Sequence, residues 1–345
     1  VTITIKDIAH IAEVSPSTVS RALHDHPRIS KATRYRIQEL AREMGYIPSQ
    51  VARNLVTKQS ATIGVAIPEF SDPFYMGILS GIEGIAIANN YDLIVGSFEH
   101  DPKRERKLFD AFEEQWLAGL VIAGTLVDDA YLTRSRKALP AVLVNKPDYP
   151  YAVDIDQEQG SHQAVTHLVS LGHRRIAYIG LNVASESESR RYAGYAKALA
   201  THGLRDDPDL RVDGNGGIAG GVIAAENLLA QPDPPTAIFC YNDRTAIGAI
   251  HALHRSGLRV PADVSVVGFD DLEIASYVNP PLTTIRQPTD ELGHRAATML
   301  FDLLNDRPVA PQKLTPQLVI RQSTRRCDES ARQRIAQQFI QTIIK

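Results

Sequence analysis

The segment PSTVSRAL (16–23) places three polar side chains, Ser17, Thr18 and Arg21, at the start of a short stretch with helical spacing. Ser17 and Thr18 carry short hydroxyls that both donate and accept. Arg21, about one turn on, carries a planar fork suited to guanine O6 and N7. Upstream lies IKDIAHIA, where Ile8, Ala9 and Ala12 share a packing side. Val19 and Leu23 do the same in the second stretch, and Val14 plugs the turn through Glu13-Val14-Ser15. Two helices joined this way fit a helix-turn-helix, whose second helix enters the major groove by its N-terminal part. Arg28, Lys31 and Arg34 flank that face and suit phosphates, which fix position without reading sequence. The plainer alternative is a three-helix bundle with a solvated polar face.

The elements that must position these side chains are well punctuated. Thr4 with Asp7 three residues on is an N-cap signal. Ser15-Pro16 sets a capping hydroxyl before a proline at the first helical position, where its missing N–H costs nothing. A third helix starts near Ser30 and runs through Ile37, Leu40, Ala41 and Met44, with Gly45 as its C-cap. Residues 1–60 hold nine Lys/Arg against five Asp/Glu, a net of +4, whereas the other 285 residues carry −7. A small basic head on an acidic body favours polyanion binding by the head. The stretch that follows, PSQVARNLVTKQS (48–60), has helix formers but a single leucine, Leu55. Its seven helical residues, Ser49 to Leu55, fall below the roughly 12 to 15 needed for a marginally stable helix in water.

From Ala61 onward, short β-branched runs such as TIGVAIP, YDLIVGS and GLVIAG alternate with helical pattern, and RRIAYIG, TAIFCYND and VSVVGFDD continue the beat. This alternation predicts α/β architecture with parallel sheets. It breaks at NKPDYPYAVDIDQEQG (145–160), at PPLTTIRQP (280–288) and near LVIRQS (318–323). These are three candidate crossovers between two lobes, with a cleft between them.

Composition removes several function classes. No apolar run approaches the roughly 20 residues that span a bilayer, and the N-terminal stretch VTITIKDIAHIAE does not read as a signal peptide. A cytoplasmic location without membrane attachment is expected. Cys240 and Cys327 are the two cysteines, too few for a disulfide framework, and the histidines lack zinc-finger spacing. No GxSxG elbow, P-loop, GxGxxG after the first strand or HExxH occurs, and Asp154 and Asp156 alternate on a strand at a crossover. No enzyme, metal or cofactor is expected.

The stretches IKDIAHIAEVSPSTVSRAL, ARNL, LGHRRIAYIG, YND (241–243) and VSVVGFDD with PPLTTIRQP resemble the lactose-repressor/galactose-repressor family of bacterial transcription regulators, in the family's order from residue 2 to about 325. The resemblance implies a helix-turn-helix head at 1–46, a hinge helix and linker at 47–60, and an effector-binding and dimerisation body at 61–327. The body would have the fold of a periplasmic sugar-binding protein. Its N-lobe would hold about 61–156 and 289–317, and its C-lobe about 157–288 and 318–327. A helical tail would follow at 328–345. Such regulators act as homodimers on near-palindromic operators. The hinge helix orders on DNA, and the leucine matching Leu55 wedges into the minor groove, as apolar wedges that kink a duplex do.

The same resemblance places Phe74, Tyr75, Asn145, Arg191, Asn242 and Asp270 at effector-contacting positions, near strand C-terminal ends where open α/β sheets bind ligands. Arg, Asn and Asp suit vicinal hydroxyls, so a sugar or oligosaccharide is the leading ligand. Where many members carry an aromatic platform, this chain has Gly216 in a glycine-rich loop. A purine- or nucleoside-responsive regulator and a sugar-binding transport protein are the alternatives. Each position also has a structural reading: Asn242 can cap a helix, Asp270-Asp271 a turn, and Phe74-Tyr75 can be core. The tail, with Ile335, Phe339, Ile340, Ile343 and Ile344 near one face, reads as a helix docked on its own body.

Overall fold

The computed structural model describes residues 3–23, 25–46, 60–128, 131–132, 139–182 and 185–328. The hinge expectation, including Leu55, and the tail from 329 onward lie outside the described residues. Two compact units result, Val1–Ser60 and Ala61–Lys345.

The first unit contains α1 (Ile5–Ile11), α2 (Pro16–Leu23) and α3 (Lys31–Glu43). Each start is fixed by a side chain. The Thr4 amide donates to Asp7 Oδ2 at 2.8 Å, the Thr18 amide to Ser15 Oγ at 3.1 Å, and the Thr33 amide to Ser30 Oγ at 3.2 Å. Such caps satisfy amides that a helix start leaves unpaired. Glu13 takes a left-handed φ of 51°, which turns the chain between α1 and α2. Ile8, Ala9, Ala12, Val19, Ala22, Ile37 and Ala41 are buried together. Ala22, three residues after Val19, takes the deep position, while Leu23 and Val14 pack from the rim. The small side chain at 22 lets the helices approach, and the larger Leu23 seals their edge.

The second unit contains two parallel sheets. The N-lobe comprises β1 (Thr62–Ile67), α4 (Pro73–Ala88), β2 (Asp92–Ser97), α5 (Pro102–Glu114), β3 (Leu120–Ala123), β4 (Ala141–Val144) and β5 (Ala152–Ile155). The C-lobe follows with α6 (Gln157–Ser170), β6 (Ile176–Gly180), α7 (Glu186–Thr201), β7 (Arg211–Asp213), α8 (Ile218–Leu229), β8 (Ala237–Cys240), α9 (Asp243–Arg255), β9 (Ser265–Asp270) and β10 (Thr283–Arg286). The chain then returns to the N-lobe with α10 (Thr289–Leu304) and β11 (Gln312–Leu314), and ends in the C-lobe sheet with β12 (Gln317–Val319). Strand orders are β11-β5-β4-β3-β1-β2 and β12-β10-β9-β8-β6-β7. β12 alone among them runs antiparallel, against β10. β3, β4 and β8 are buried along their whole length, which is why they read as unbroken apolar runs.

Crossovers fall at Asp156, at Gln287-Pro288 and at Thr315-Pro316. Asp156 caps α6 by accepting the Gln159 amide at 3.0 Å. The third crossover precedes the apolar LVIRQS stretch, because β12 begins at the polar Gln317.

Two features carry stability consequences. First, α4 and α10 meet at glycines: a Cβ on Gly293 would overlap the Ile78 carbonyl oxygen, and one on Gly81 that of Asp290. Gly293→Ala is therefore expected to cost about 1–3 kcal/mol through forced separation of the pair, read as a lower urea midpoint at constant slope.

Second, His173 is 2% exposed. Its Nδ1 lies 3.0 Å from Thr236 Oγ1, and its Nε2 lies 3.0 Å from Ser265 Oγ and 3.1 Å from the Arg325 carbonyl oxygen. The ring thereby ties the starts of β8 and β9 to the chain after β12. Burial pulls its pKa from 6.5 down to about 4. The folded state thus binds this proton less readily than the unfolded chain does. The contribution is complete above pH 6.5 and drains away as pH falls toward 4. Stability is expected to drop by about 3 kcal/mol over that window. His173→Gln should flatten this part of the pH profile, and an equally steep profile would exclude the assignment.

Candidate nucleic-acid interface and ligand cleft

In the head, Ser17 and Arg21 are exposed and Thr18 is half-buried at the start of α2. Ser15 Oγ gathers the other two hydroxyls, 2.8 Å from Ser17 Oγ and 2.9 Å from Thr18 Oγ1. Among the described residues Arg21, Arg28 and Lys31 have no ion-pair partner, so their charges are available to a polyanion.

Arg34 is different. Its guanidinium donates to the carbonyls of His26 at 3.3 Å and Ile29 at 3.5 Å, and it pairs with Asp25 at 3.3 Å. The phosphate role expected for Arg34 therefore competes with a loop-holding role. Only a quarter of its side chain reaches solvent. Arg36 donates in a similar way to the Ala12 carbonyl and clamps α3 to the end of α1.

In the body, a cleft of about 330 Å³ lies at the C-terminal ends of β1, β2, β6 and β8. It is lined by Tyr75 and His100 from the N-lobe and by Gly216, Tyr241, Asn242 and Arg244 from the C-lobe, among others. Tyr75 is in the wall, whereas Phe74 is buried in the N-lobe core and meets Tyr75 edge-on, centroids 5.2 Å apart. Of these two positions expected to contact an effector, Tyr75 thus lines this cavity and Phe74 does not. Asp72 caps α4 through the Phe74 amide at 3.0 Å, and this fixes which of the two rings points inward. Desolvation raises the phenols of Tyr75 and Tyr241 above their usual range, so both rings stay neutral.

Asn242 has two tasks. It caps α9 by accepting the Thr245 amide at 2.9 Å, and its Nδ2 donates to the Gly216 carbonyl at 2.9 Å. Gly216 takes a left-handed φ of 66°, and a Cβ there would press on Leu181. An aromatic platform at 216 would be strained, so the glycine follows from the loop's backbone.

Arg191 and Asp270 do not line this cavity; they form the buried layer next to it. Arg191 Nη2 lies 3.6 Å from Asp270 Oδ1, with both side chains 4% exposed. The guanidinium sits between the rings of Tyr241 and Phe269, 4.4 and 3.9 Å from their centroids. It also donates to Gln157 Oε1 at 2.8 Å and to the Tyr241 carbonyl. Gln287 Nε2 donates to Asp270 Oδ1 at 2.7 Å, and Gln287 Oε1 accepts from Gln157 Nε2 at 3.0 Å. Burial pushes the Asp270 carboxyl up, and Arg191 opposes the shift. Asp270 and Asp271 both hold positive φ, 118° and 60°, a strain typical of functional loops. Asn145, left-handed at φ 63°, ends β4 half-buried, and its Oδ1 has no hydrogen-bond partner among the described residues. It does not line the cavity.

Gln157 and Arg244 carry no signal of their own in the sequence, and Tyr241 and Gln287 lie in stretches that resemble the family without standing out as site residues. Each is placed by strand ends and crossovers that converge only in three dimensions.

Comparisons with known proteins agree with this geometry. Residues 4–49 match the model for bacterial regulatory proteins of the lacI family, and residues 165–324 match a periplasmic binding protein-like domain. The transcriptional repressor CytR of Escherichia coli (strain K12) is 36% identical over 328 residues, covering 93% of this chain and 96% of its own. The chain belongs to the lacI family of bacterial regulatory proteins. Other lacI-family relatives include the regulator GalR of Escherichia coli (strain K12), 33% identical over 93% of this chain and 95% of its own. Among solved structures, the lac repressor dimer bound to operator and the anti-inducer ONPF superposes with a TM-score of 0.84. It is 32% identical, over 94% of this chain and 100% of its own. The CelR-cellobiose complex gives 0.70 at 30% identity, over 93% and 99%. These lacI-family relatives are transcriptional regulators. Among the described residues no helix is long and apolar enough to cross a membrane.

Proposed function

We propose that the chain is a cytoplasmic homodimeric repressor whose two heads bind a near-palindromic operator. A small ligand in the inter-lobe cleft controls its affinity for DNA. The observation that carries this reading is the pairing, in one chain, of an exposed Ser17/Thr18/Arg21 face with a cleft backed by the buried Arg191–Asp270 pair. A ligand acts by favouring one lobe arrangement through differential affinity. Leu55 in the hinge would then wedge between base steps, and residues 49–55 would gain helix on operator. Large apolar side chains exposed on the body, Ile87 in the N-lobe and Ile223 and Tyr277 in the C-lobe, suit subunit contact. Arg28 and Lys31 supply phosphate contacts.

The preferred ligand is a sugar or oligosaccharide. Asn242 on the cleft wall supports it, as does the open wall at Gly216, with the Arg191–Asp270 pair in the buried layer behind. A nucleoside is the second reading, favoured by two neutral tyrosines on the cleft wall, whose rings suit a planar base. A thermal-shift screen of mono- and oligosaccharides, nucleosides and nucleobases tests both, since a ligand that binds the folded state raises its apparent stability. Stabilisation by sugars alone supports the first reading and by nucleosides alone the second; no response from either class removes both.

A further inference from the structure

Three charged side chains on the cleft wall join the two lobes directly. Arg244, the second residue of α9, points its Nη1 at the loop after β1, 2.5 Å from Glu69 Oε1 and 3.3 Å from Asp72 Oδ2. Glu69 and Asp72 belong to the N-lobe and Arg244 to the C-lobe, 175 positions from Glu69. The carboxylates are held in place from behind. Glu69 Oε2 accepts the Ser71 hydroxyl at 2.9 Å, while Asp72 Oδ1 is occupied as the cap of α4. All three side chains are between 13% and 24% exposed, which sets this cluster apart from a solvated surface pair. Burial alone would raise the Glu69 pKa, but the hydrogen bonds from Arg244 and Ser71, together with the nearby positive charge, outweigh it and leave the carboxyl below its ordinary value.

The position matters as much as the contact. In its sheet β1 lies three strands from β5, and in the other sheet β8 lies two strands from β10. At the usual spacing of about 4.8 Å per strand, the cluster sits roughly 10–14 Å along the sheets from the first two crossovers. One further inter-lobe pair, Arg190 with Asp154, and the pair of Lys313 with the crossover residue Asp156, each at 2.7 Å, lie beside the first crossover instead. Rotation about the crossovers moves those pairs little and separates Arg244 from its carboxylates.

We propose that Arg244, Glu69 and Asp72 form an inter-lobe latch that holds the cleft closed before any ligand arrives. The consequence for regulation rests on the ligand reading above, but the latch itself does not. Closure supplied by the protein is closure that a ligand need not drive, so the latch sets how far the resting population lies toward the closed state.

The test uses the ligand-free full chain. Spin labels at Lys103→Cys in the N-lobe and Ala219→Cys in the C-lobe, in a Cys327→Ser background diluted with unlabelled protein, report the lobe distance by double electron–electron resonance. Both positions are exposed, and Cys240 is buried away from the label. Arg244→Gln, and separately Glu69→Gln with Asp72→Asn, should lengthen and broaden the distance distribution. Asparagine at 72 retains the helix cap. The charge swap Glu69→Arg with Arg244→Glu should return the distribution toward the original. Unchanged distances in both neutral variants, or a swap no closer to the original than Arg244→Gln, would overturn the latch. An empty ligand screen would count against the proposed ligands and leave this measurement intact.

Discussion

Alanine at Arg21 is expected to weaken operator binding by about 1–3 kcal/mol, roughly fivefold to more than a hundredfold, and to relax preference at one base pair. The side chain is exposed, has no ion-pair partner among the described residues and stands one turn into α2. Its removal takes nothing from the head's core of Ile8, Val19, Ala22 and Ile37. The head should therefore melt as before while operator affinity falls. Lys31→Ala is the useful contrast: without its ammonium on a phosphate, affinity should drop across all sequences and the salt slope should shrink by about one. Arg34→Ala should do something else, lowering stability of the head because the carbonyls of His26 and Ile29 lose their donor. Gel retardation on operator and scrambled DNA, with calorimetric melting of each variant, separates the three. Wild-type operator affinity in Arg21→Ala would remove α2 as the reading helix.

The largest effect in the body is expected at Arg191. Truncation to alanine strands the Asp270 carboxylate and Gln157 Oε1 in an environment where both are almost fully enclosed. Breaking one side of such a buried pair typically costs about 3–5 kcal/mol, because the remaining charge is left uncompensated. The guanidinium also fills the space between Tyr241 and Phe269, so packing goes with the charge. Urea denaturation should show the destabilisation directly. Asp270→Asn preserves shape and an acceptor for Gln287, so it should fold with a smaller penalty. It should nevertheless abolish the ligand-dependent change in operator affinity. An Arg191→Ala variant of full stability would contradict the packing account, and an Asp270→Asn variant with a normal ligand response would remove Asp270 from the effector site.

The helix-turn-helix and the α/β alternation are legible in the sequence because both rest on local pattern. Caps such as Ser15 and Ser30 announce helix starts, and buried strands such as AVLV and AIFC are apolar throughout. What local pattern does not encode is which of two adjacent residues faces a cavity. Phe74 and Tyr75 are equivalent by type, and only the helix start set by Asp72 turns the tyrosine to the cleft. Arg34 is indistinguishable by type from Arg28 in a basic stretch, yet it folds back on the carbonyls of its own loop. The Arg244 cluster and the Gln157–Gln287 bond link residues 130 or more positions apart, and no spacing rule brings them together. Asn242 suits either a helix cap or a cleft wall by its side chain; it caps α9 and also lines the cleft.

The three crossovers have a further consequence for how the chain acquires its structure during synthesis. The N-lobe core contains Leu292, Ala296, Met299 and Leu300 of α10, and its sheet is completed by β11. Residues 61–156 therefore emerge from the ribosome well before the segment that closes their core. The C-lobe, by contrast, has all but β12 of its sheet once residue 286 is out. The lobe encoded first should become protease-resistant last, and nascent chains that have released residue 288 from the ribosome but not α10 should expose an unfinished N-lobe beside a nearly complete C-lobe.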